Sequence, residues 1–472
     1  MKFFVGVDLG TTAVKVVLFN EKGEHFRAAS EELELLHPAP EKTEQDPESW
    51  YEIPCRLIRK VTEGTDPADV TGISVSSQGI TLIPVDKDFK PLYNGISWLD
   101  TRAKTELEYV RSLVSAEEMF RVAGKHMSPL YSLPKLLWLK NREPEVFSGA
   151  YKLLMPMDYF TARACGRPVT DATMAGGTML FDLSSGSWSG RFCGLFGVPE
   201  DKLPEVRPTG TAAGFINAQT CRLTGLTEKT LIAVGAQDQK IAAYGAGIEP
   251  GVPTMSLGTA GAIEFPCGGG SDCLPSFAFR VKDSGIYVLE ACINTFGAAM
   301  KWARDHVFHG MSYREMDSEA SLASPGCGGV LFYPHLSGQS TPYTDRIPKS
   351  GWKNVSLSST RGDMIRSVYE GLACEVRNNI DAAKRSGAEV RRIRAFGGGS
   401  RSDIVCRIIA DISRTEVQAL DFSEMSSFGA AKAAAVACGY EEFDSSGKCR
   451  TYLPTGDGEG IFERYMNEQE YF

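Results

Sequence analysis

The fold is decided by the stretch Phe3-Phe4-Val5-Gly6-Val7-Asp8-Leu9-Gly10-Thr11-Thr12-Ala13-Val14-Lys15-Val16-Val17-Leu18-Phe19. Two apolar, β-branched runs flank Asp-Leu-Gly-Thr-Thr, which predicts a strand, a tight turn and a second strand. In such a turn, backbone N–H groups and the hydroxyls of Thr11 and Thr12 can approach phosphate oxygens, while Asp8 can hold an accompanying Mg²⁺, most simply through water. An ordinary hairpin that turns at Gly10 explains the same residues equally well, so this stretch alone leaves both interpretations open.

The size and charge of the chain limit the classes of protein to which it can belong. At 472 residues and 51.4 kDa it is too long for one ordinary core, which predicts two domains. Its hydrophobic share of 43% and charged share of 23% are typical of a globular protein in water. A net charge of −9 argues against nucleic acid or an anionic membrane as a partner, although acidity also serves solubility alone.

The cysteines and the N-terminus indicate a compartment. Twelve cysteines are scattered without a Cys-x-x-Cys pair, and Cys292, Cys374 and Cys438 sit in apolar or helical surroundings. That pattern is typical of reduced, buried thiols and predicts a cytoplasmic protein without structural zinc. There is no signal-like segment and no apolar run of about 20 residues, so no membrane partner is expected. The histidines form no metal or nucleophilic pattern, and His306 and His309 are interpreted as ordinary helix residues.

A second stretch repeats the opening plan. Residues 254–265 again place a Leu-Gly-Thr turn between two apolar runs, directly after a Pro- and Gly-containing segment at 248–253. This predicts two similar domains, 1–247 and 248–472. Gly397, Gly398, Gly399 and Ser400 then follow a predicted strand and precede a predicted helix, a pattern that favours phosphate at a helix N-terminus but also fits a plain turn.

Three Gly- or Thr-rich turns at strand ends together suit a triphosphate. Neither of the two common glycine-rich nucleotide motifs is present in a strand-to-helix setting. Phosphoryl transfer needs a metal-bound polyphosphate and an acid that receives the proton of the attacking hydroxyl. Asp238, at the end of the apolar run 231–236, is the candidate for that acid. Capping of a helix that begins at Lys240 is an interpretation of similar weight.

Two further stretches predict a substrate pocket. Gln78 and Gly79 follow a buried strand, and the loop after such a strand is where an open α/β sheet binds ligands. Trp98, Asp100 and Arg102 alternate, which predicts that they share one face of an extended segment. A ring beside an acid and a guanidinium suits a sugar, although a core Trp with a surface Asp–Arg pair is at least as common.

Taken together, these stretches resemble the FGGY family of carbohydrate kinases over nearly the whole chain and in the family's order. The matching motifs are Asp8-Leu-Gly-Thr-Thr-Ala-Val-Lys15, Trp98-Leu-Asp-Thr-Arg102, Gly235-Ala-Gln-Asp-Gln239, Ser256-Leu-Gly-Thr259, Leu336-Ser-Gly-Gln-Ser-Thr-Pro342 and Gly397 to Asp411. The resemblance implies an α/β fold with two ribonuclease-H-like domains of the actin-type ATPase plan and a central cleft between them.

The resemblance also implies roles for individual residues in the transfer of the ATP γ-phosphoryl group to a sugar. Asp238 becomes the general base and Asp8 the acid associated with Mg²⁺. The residues implied for ATP are Thr11, Thr12, Lys15, Gly258, Thr259, Gly397, Gly398, Gly399, Ser400, Ser402 and Asp403. The residues implied for the sugar are Gln78, Gly79, Trp98, Asp100, Arg102 and Gln239. A homodimer is left open.

Within the family the second half is most similar to xylulokinases, which makes a ketopentose such as D-xylulose the leading expectation. The substrate loop departs, because Ile80 stands where xylulokinases usually have His, and such a change removes a polar contact to a hydroxyl. A deoxysugar (fuculokinase-like) or a polyol therefore remains an alternative substrate. A non-catalytic, sugar-responsive protein is a further alternative. Gln339-Ser340 replaces the usual Glu-Arg, which leaves the charge pairing of that loop open.

Overall fold

The computed structural model describes residues 1–271, 273–343, 348–422, 424–444, 449–456 and 458–470. Its first half is a mixed α/β arrangement. The strands are β1 (Phe3–Leu9), β2 (Ala13–Asn20), β3 (His25–Glu32), β4 (Glu44–Gln45), β5 (Val70–Ser77), β6 (Ile83–Val85), β7 (Gly95–Ile96), β8 (Lys152–Leu154), β9 (Val169–Thr170), β10 (Phe181–Asp182), β11 (Ser187–Trp188), β12 (Glu205–Val206), β13 (Ala212–Phe215) and β14 (Leu231–Gln237). The helices are α1 (Ser49–Val61), α2 (Lys104–Leu113), α3 (Ala116–Ala123), α4 (Ser132–Arg142), α5 (Pro144–Gly149), α6 (Pro156–Cys165), α7 (Ala172–Gly176), α8 (Gly190–Phe196), α9 (Ala218–Thr224) and α10 (Asp238–Gly245).

One sheet organises this half, with strand order β13-β14-β5-β1-β2-β3. The predicted hairpin is confirmed, since β1 pairs antiparallel with β2. Strands β1, β5 and β14 run parallel, with Asp8 opposite Ser76 and Gln237 opposite Ser77. The carboxyl ends of these three strands therefore meet at one edge of the sheet, where α/β sheets bind ligands.

The second half repeats this arrangement. Its strands are β15 (Thr254–Leu257), β16 (Gly261–Cys267), β17 (Ser276–Val281), β18 (Ser284–Ile293), β19 (Leu331–Tyr333), β20 (Gly351–Lys353), β21 (Arg392–Phe396), β22 (Glu416–Leu420) and β23 (Cys449–Tyr452). Its helices are α11 (Phe296–His306), α12 (Tyr313–Leu322), α13 (Arg361–Arg385), α14 (Asp403–Ser413), α15 (Met425–Ala437) and α16 (Glu459–Asn467).

The two main sheets share one strand order. From β18 the second sheet runs β18-β16-β15-β21-β22-β23, with β15 antiparallel to β16 and parallel to β21. In both halves the first strand thus lies between the second and the fourth, and the third and fifth lie outside them. The shared order bears out the predicted α/β class with two ribonuclease-H-like sheets.

The compact units are not contiguous in sequence. The chain divides between Gly245 and Ala246, two residues before the predicted boundary, but Ser276–Tyr287 and Met425–Ser445 belong to the first unit. The contiguous description 1–247 and 248–472 is therefore incomplete. A domain prediction that follows chain order cannot see this, because α15 packs on a sheet built from the opening residues.

Each face of β1 is covered by a different helix. Val5, Val7 and Leu9 are buried in the same cluster as the apolar face of α1. On the opposite face, a Cβ on Gly6 would lie 1.8 Å from the carbonyl oxygen of Ser427 in α15. Side chains alternate between the two faces of a strand, so Gly6 faces α15 while its neighbours Val5 and Val7 face α1. The many small residues of α15 allow this close approach to β1.

We expect Gly6→Ala to lower the free energy of unfolding by about 3 kcal/mol, because the new methyl group would overlap the backbone of α15. Urea unfolding of the full chain measures this loss. Gly194→Ala is the matched control, since Gly194 lies in α8 with nothing near its Cβ position. The control is expected to leave stability unchanged or to raise it by about 1 kcal/mol. Equal stability of the two variants would contradict the close approach of α15.

The described part of the chain contains no helix that is both long enough and apolar enough to span a membrane. Of the cysteines singled out in the sequence, Cys374 is buried, whereas Cys292 and Cys438 are half-buried. Burial raises the pKa of the Cys438 thiol to about 11, so this group is a protonated thiol at neutral pH.

Candidate active site

Two carboxylates lie at the shared edge of the first sheet. Asp8 is near the end of β1, and its Oδ1 accepts a hydrogen bond of 2.7 Å from the Ser76 hydroxyl. Asp238 directly follows β14. Only β5 separates the two strands, so their backbones are about 10 Å apart, twice the spacing of neighbouring strands. A polyphosphate and its metal can span such a distance.

The helix after β14 begins at Asp238 itself, two residues earlier than the cap interpretation assumed. The Gln239 backbone N–H donates to the Asp238 Oδ1 at 2.8 Å. The helix dipole is positive at this end, so a side chain that can carry negative charge is well placed there. The local contact and a role as base are therefore compatible.

Thr11 joins a network of amides at the same edge. Its hydroxyl donates to Gln78 Oε1 at 3.0 Å and accepts from the Trp98 indole N–H at 2.8 Å. Gln45 completes the network, since it accepts from Gln78 Nε2 at 3.0 Å and donates to the Thr11 carbonyl at 2.9 Å. Sequence reasoning missed Gln45, which lies in the short strand β4 and carries no motif. The network fixes three residues predicted for substrate or phosphate.

Residues 98–102 do not form the extended segment that the alternation predicted. The chain turns at Trp98 and Leu99, with the Asp100 N–H donating to the Ser97 carbonyl at 3.0 Å. Asp100 is fully buried and accepts from Arg102 and, at 2.6 Å, from the Thr43 N–H. The pair is thus buried rather than on the surface, while Trp98 is half-exposed.

Arg102 holds this turn together. Its Nη2 donates to Glu44 and to Asp100, both at 2.7 Å, and its guanidinium lies 4.7 Å from the centre of the Trp138 ring. Its Nη1 is buried and makes no hydrogen bond with a described residue. These contacts give Asp100 and Arg102 a structural role, and direct contact with a sugar stays a prediction.

Lys135 is a second buried basic residue that contacts the turn at residues 98–102. It lies in α4, is fully buried, and donates from Nζ to the Ser97 carbonyl at 2.7 Å. Burial lowers its pKa to about 7, an effect that Asp100 partly offsets. This lysine supports the residue directly before Trp98 and was not singled out from the sequence.

We expect the Lys135 amine to make the free energy of unfolding depend on pH. Because the pKa is lower in the folded state, the unfolded chain binds more protons above pH 7, so stability rises with pH. From pH 7 to pH 9, the free energy of unfolding of the wild type minus that of Lys135→Met should rise by about 2 kcal/mol. Urea unfolding at several pH values measures the difference, and a flat difference would show that the amine stays charged.

A buried acid holds the end of β14. Asp171 accepts from the Thr173 hydroxyl at 2.9 Å, and that hydroxyl accepts from the Gln237 backbone N–H at 2.9 Å. Thr209 also donates to Asp171, at 3.3 Å. Burial raises the pKa of Asp171 to about 6. The chain of contacts fixes the residue before Asp238.

A cavity of about 860 Å³ lies in the second unit. Its walls come from the tip of the β15–β16 hairpin, the loop before α14, and helices α11 and α12. The lining residues are Leu257, Gly258, Thr259, Gly297, Ala298, Met300, Lys301, Trp302, Asp305, His306, Tyr313, Arg314, Asp317, Gly398, Gly399, Arg401 and Ser402. The volume is that of a site for a nucleotide-sized ligand.

Close backbone contacts shape this cavity. The Gly297 N–H donates to the Gly258 carbonyl at 3.0 Å, and a Cβ on Gly297 would lie 2.5 Å from that oxygen. Gly397 has φ of 94°, a conformation that favours glycine. The hairpin tip is therefore held directly against the start of α11.

The sequence-predicted ATP residues fall into three groups. Gly258, Thr259, Gly398, Gly399 and Ser402 line the cavity. Three others are not among its lining residues: Gly397, Ser400, whose hydroxyl donates to the Gly397 carbonyl at 2.8 Å, and Asp403, whose carboxylate binds Arg450 and Tyr452. The remaining three are in the first unit: Thr11 in the amide network, Thr12 exposed at the hairpin tip, and Lys15 opposite Asp8 on β2.

Helix residues complete the cavity, and sequence reasoning missed them. Trp302 and His306 are one turn apart on α11, and Tyr313 and Asp317 are one turn apart on α12. The interpretation of His306 as an ordinary helix residue overlooked this position. The i, i+4 spacing was the available signal, but the same spacing occurs on any packed helix.

Gln339, one of the two residues that replace the usual Glu-Arg, hydrogen-bonds a buried acid. Its Nε2 donates at 3.2 Å to Glu375, which lies on α13 and is buried. Burial raises the pKa of Glu375 to about 7, and Tyr465 donates to the same carboxylate at 2.8 Å. The loop's carboxylate partner is thus supplied by α13, and an amide at position 339 avoids placing a second acid beside it.

Comparison with known proteins identifies the class. Residues 3–245 match the N-terminal domain of the FGGY family of carbohydrate kinases, and residues 270–438 match its C-terminal domain. The chain belongs to the FGGY family of carbohydrate kinases. It is a sugar kinase, and ATP is the phosphoryl donor that this class implies.

Individual relatives share the full length. The chain is 28% identical to the xylulose kinase of Bacillus subtilis, over 100% of this chain and 95% of the relative. It is 25% identical to the gluconokinase of Bacillus licheniformis, over 91% and 86% of the two chains. A ligand-bound xylulose kinase from Lactobacillus acidophilus superposes with a TM-score of 0.90 at 25% identity, over 99% of this chain and 97% of that one.

Proposed function

We propose that the protein is a cytoplasmic, Mg²⁺-dependent kinase that transfers the γ-phosphoryl group of ATP to a hydroxyl of a ketopentose such as D-xylulose. The observation that supports the proposal is that Asp238 and Asp8 follow or end strands at the same sheet edge, with the Thr11–Gln78–Trp98 network also at that edge. Relatives named xylulose kinase support the choice of sugar.

Different residues of the chain have different roles in the reaction. Asp238 accepts the proton of the attacking hydroxyl, which is the step a positioned carboxylate can accelerate. Gln78, Gly79, Trp98 and Gln239 orient the sugar, and the buried pair Asp100–Arg102 keeps Trp98 in place. Gly258, Thr259, Gly398, Gly399 and Ser402 hold the nucleotide.

Asp8 fits the way in which proteins hold Mg²⁺ on nucleotides. Mg²⁺ keeps several waters and binds one or two carboxylates together with phosphate oxygens, rather than a cage made of protein alone. Among the described residues there is no cluster of three His, Cys, Asp or Glu side chains that would form such a cage. A single carboxylate at a hairpin of Gly and Thr is therefore a suitable donor set, and the ion would neutralise charge on the phosphates.

Ile80 supports a second candidate substrate, a deoxysugar. It is a β-branched residue with φ of 71°, a strained conformation of the kind that clusters at functional sites. Its carbonyl accepts from the Ser132 hydroxyl at 2.9 Å. An apolar side chain fixed beside Gly79 favours a substrate carbon without a hydroxyl.

Coupled ADP release tests the proposal. The purified chain is assayed with D-xylulose, gluconate, L-fuculose and glycerol at fixed ATP and Mg²⁺. Highest kcat/KM with D-xylulose supports the proposal, and highest kcat/KM with L-fuculose supports the deoxysugar instead. ATP binding without ADP release on any sugar would favour a non-catalytic protein.

A further inference from the structure

Gln237 is a polar residue at the candidate active site to which no role has been assigned. It is the last residue of β14, directly before Asp238, and it is half-buried. Its Oε1 is buried and accepts no hydrogen bond from any described residue. By contrast, Gln45 and Gln78, at the same sheet edge, have amides that hydrogen-bond each other and Thr11.

A buried carboxamide oxygen without a hydrogen-bond donor is uncommon in a folded protein. Leaving a buried acceptor without a donor costs stability, and a leucine or methionine would fill the same space without that cost. The terminal torsion of glutamine is broad and roughly two-fold, so a rotation of about 180° can present either its oxygen or its nitrogen to a ligand. A sugar hydroxyl both donates and accepts, and therefore suits either end.

The backbone of Gln237 is fixed more firmly than its side chain. Its N–H donates to the Thr173 hydroxyl, and that hydroxyl in turn donates to the Asp171 carboxylate. Just before it, β14 gains one residue relative to β5, since Ala233 faces Ser74 while Ala236 faces Ser76. Such a bulge re-aims the side chains that follow it and is frequent next to active sites.

The side chain of Gln237 packs over the predicted sugar loop. A Cβ on Gly79 would lie 3.2 Å from Gln237 Cγ, so the glycine leaves the space that the glutamine occupies. Gln237 thus lies between two residues already proposed for the substrate, Gly79 and Asp238.

We propose that Gln237 is a specificity-determining residue, whose carboxamide hydrogen-bonds a sugar hydroxyl other than the one that Asp238 deprotonates. The inference deepens the proposed function and rests on it. It assigns to the substrate a second hydroxyl within reach of the end of β14.

The test pairs a variant with sugars that each lack one hydroxyl. Gln237→Leu, of similar volume, should raise KM for the best sugar by about 3- to 10-fold, the effect of one hydrogen bond, and leave KM for ATP unchanged. For the wild type, the deoxy analogue that lacks the partner hydroxyl should show a similar loss. For Gln237→Leu that loss should disappear, because the two changes remove the same contact.

A second variant acts through the same side chain. Gly79→Ala should displace Gln237 and raise KM for the sugar, and the rise should be smaller when Gln237→Leu is already present. If Gln237→Leu does not fold, Gly79→Ala alone is assayed with the deoxy analogues, because displacing Gln237 should abolish the loss seen for the analogue that lacks its partner hydroxyl. Asn379→Ala is the control for lost stability, since it removes another buried amide with an unpartnered oxygen, on α13 of the second unit, and should leave KM for the sugar unchanged.

Two outcomes would overturn the inference, and they are distinguishable. If Gln237→Leu weakens every deoxy analogue by the same factor, or leaves KM unchanged while the wild type is active, Gln237 does not contact the sugar. If the wild type phosphorylates no sugar at all, the proposed function fails and the inference fails with it.

Discussion

Replacing Asp238 with asparagine should lower kcat by about 10²–10⁴-fold and leave the binding of ATP and sugar nearly intact. An amide cannot take the proton of the attacking hydroxyl. Asparagine does keep an oxygen that can accept the Gln239 N–H, and it starts helices as well as aspartate does. The substitution therefore removes the base and preserves the helix start.

Steady-state kinetics, calorimetric binding of each substrate and thermal unfolding separate the two roles of Asp238. Asp86→Asn is the matched control, because Asp86 accepts two backbone N–H bonds in an ordinary turn, at 2.9 and 2.8 Å. Its turnover should match that of the wild type. Near-normal turnover of Asp238→Asn would leave that residue with only a structural role at the start of α10.

Loss of the Asp8 carboxylate should have the second largest effect. If Asp8 helps to hold Mg²⁺ on the phosphates, Asp8→Ala should reduce kcat/KM by about 10²–10³-fold, since the ion neutralises charge that develops during transfer. The variant should also need more Mg²⁺ for half-maximal rate. Ser76→Ala, which removes only the hydrogen bond to Asp8 Oδ1, should change the rate by a few fold.

A titration of rate against Mg²⁺ at fixed ATP measures this effect. An unchanged half-saturating concentration in Asp8→Ala would contradict the role in metal binding, whatever happens to kcat. Circular dichroism of the variant checks that its overall secondary structure is kept, because Asp8 also lies opposite Lys15 in the β1–β2 pairing.

Regular elements with strong local patterns could be predicted from the sequence. The amphipathic pattern at 50–62 predicts a helix, and the structure has one at Ser49–Val61. The pattern at 361–384 likewise predicts a helix, which is observed at Arg361–Arg385. Apolar periodicity and a Thr360 cap mark both the length and the start of the second helix. The repeated hairpin at 254–265 was visible because a short motif recurs where a second domain begins.

Contacts that join distant parts of the chain could not be predicted. Alternation at Trp98, Asp100 and Arg102 predicted an extended segment. The chain turns there instead, and the buried Arg102 binds Glu44, 58 residues away. Gln45 and Gln237 carry no motif, and their roles depend on side chains from other strands. For the same reason the helix residues of the cavity were missed, because a packed helix and a ligand-lining helix have the same periodicity.

The contact between Gly6 and Ser427 has a consequence for synthesis. A ribosome completes the strands of the first sheet when about half of the chain has been made, yet the helix that covers one side of them is among the last segments to emerge. That side of the sheet stays uncovered until α15 has been made. A fragment that ends at Gly245 lacks α15 altogether. Recombinant work on the first unit should therefore keep the C-terminal segment in the same polypeptide or supply it as a separate peptide.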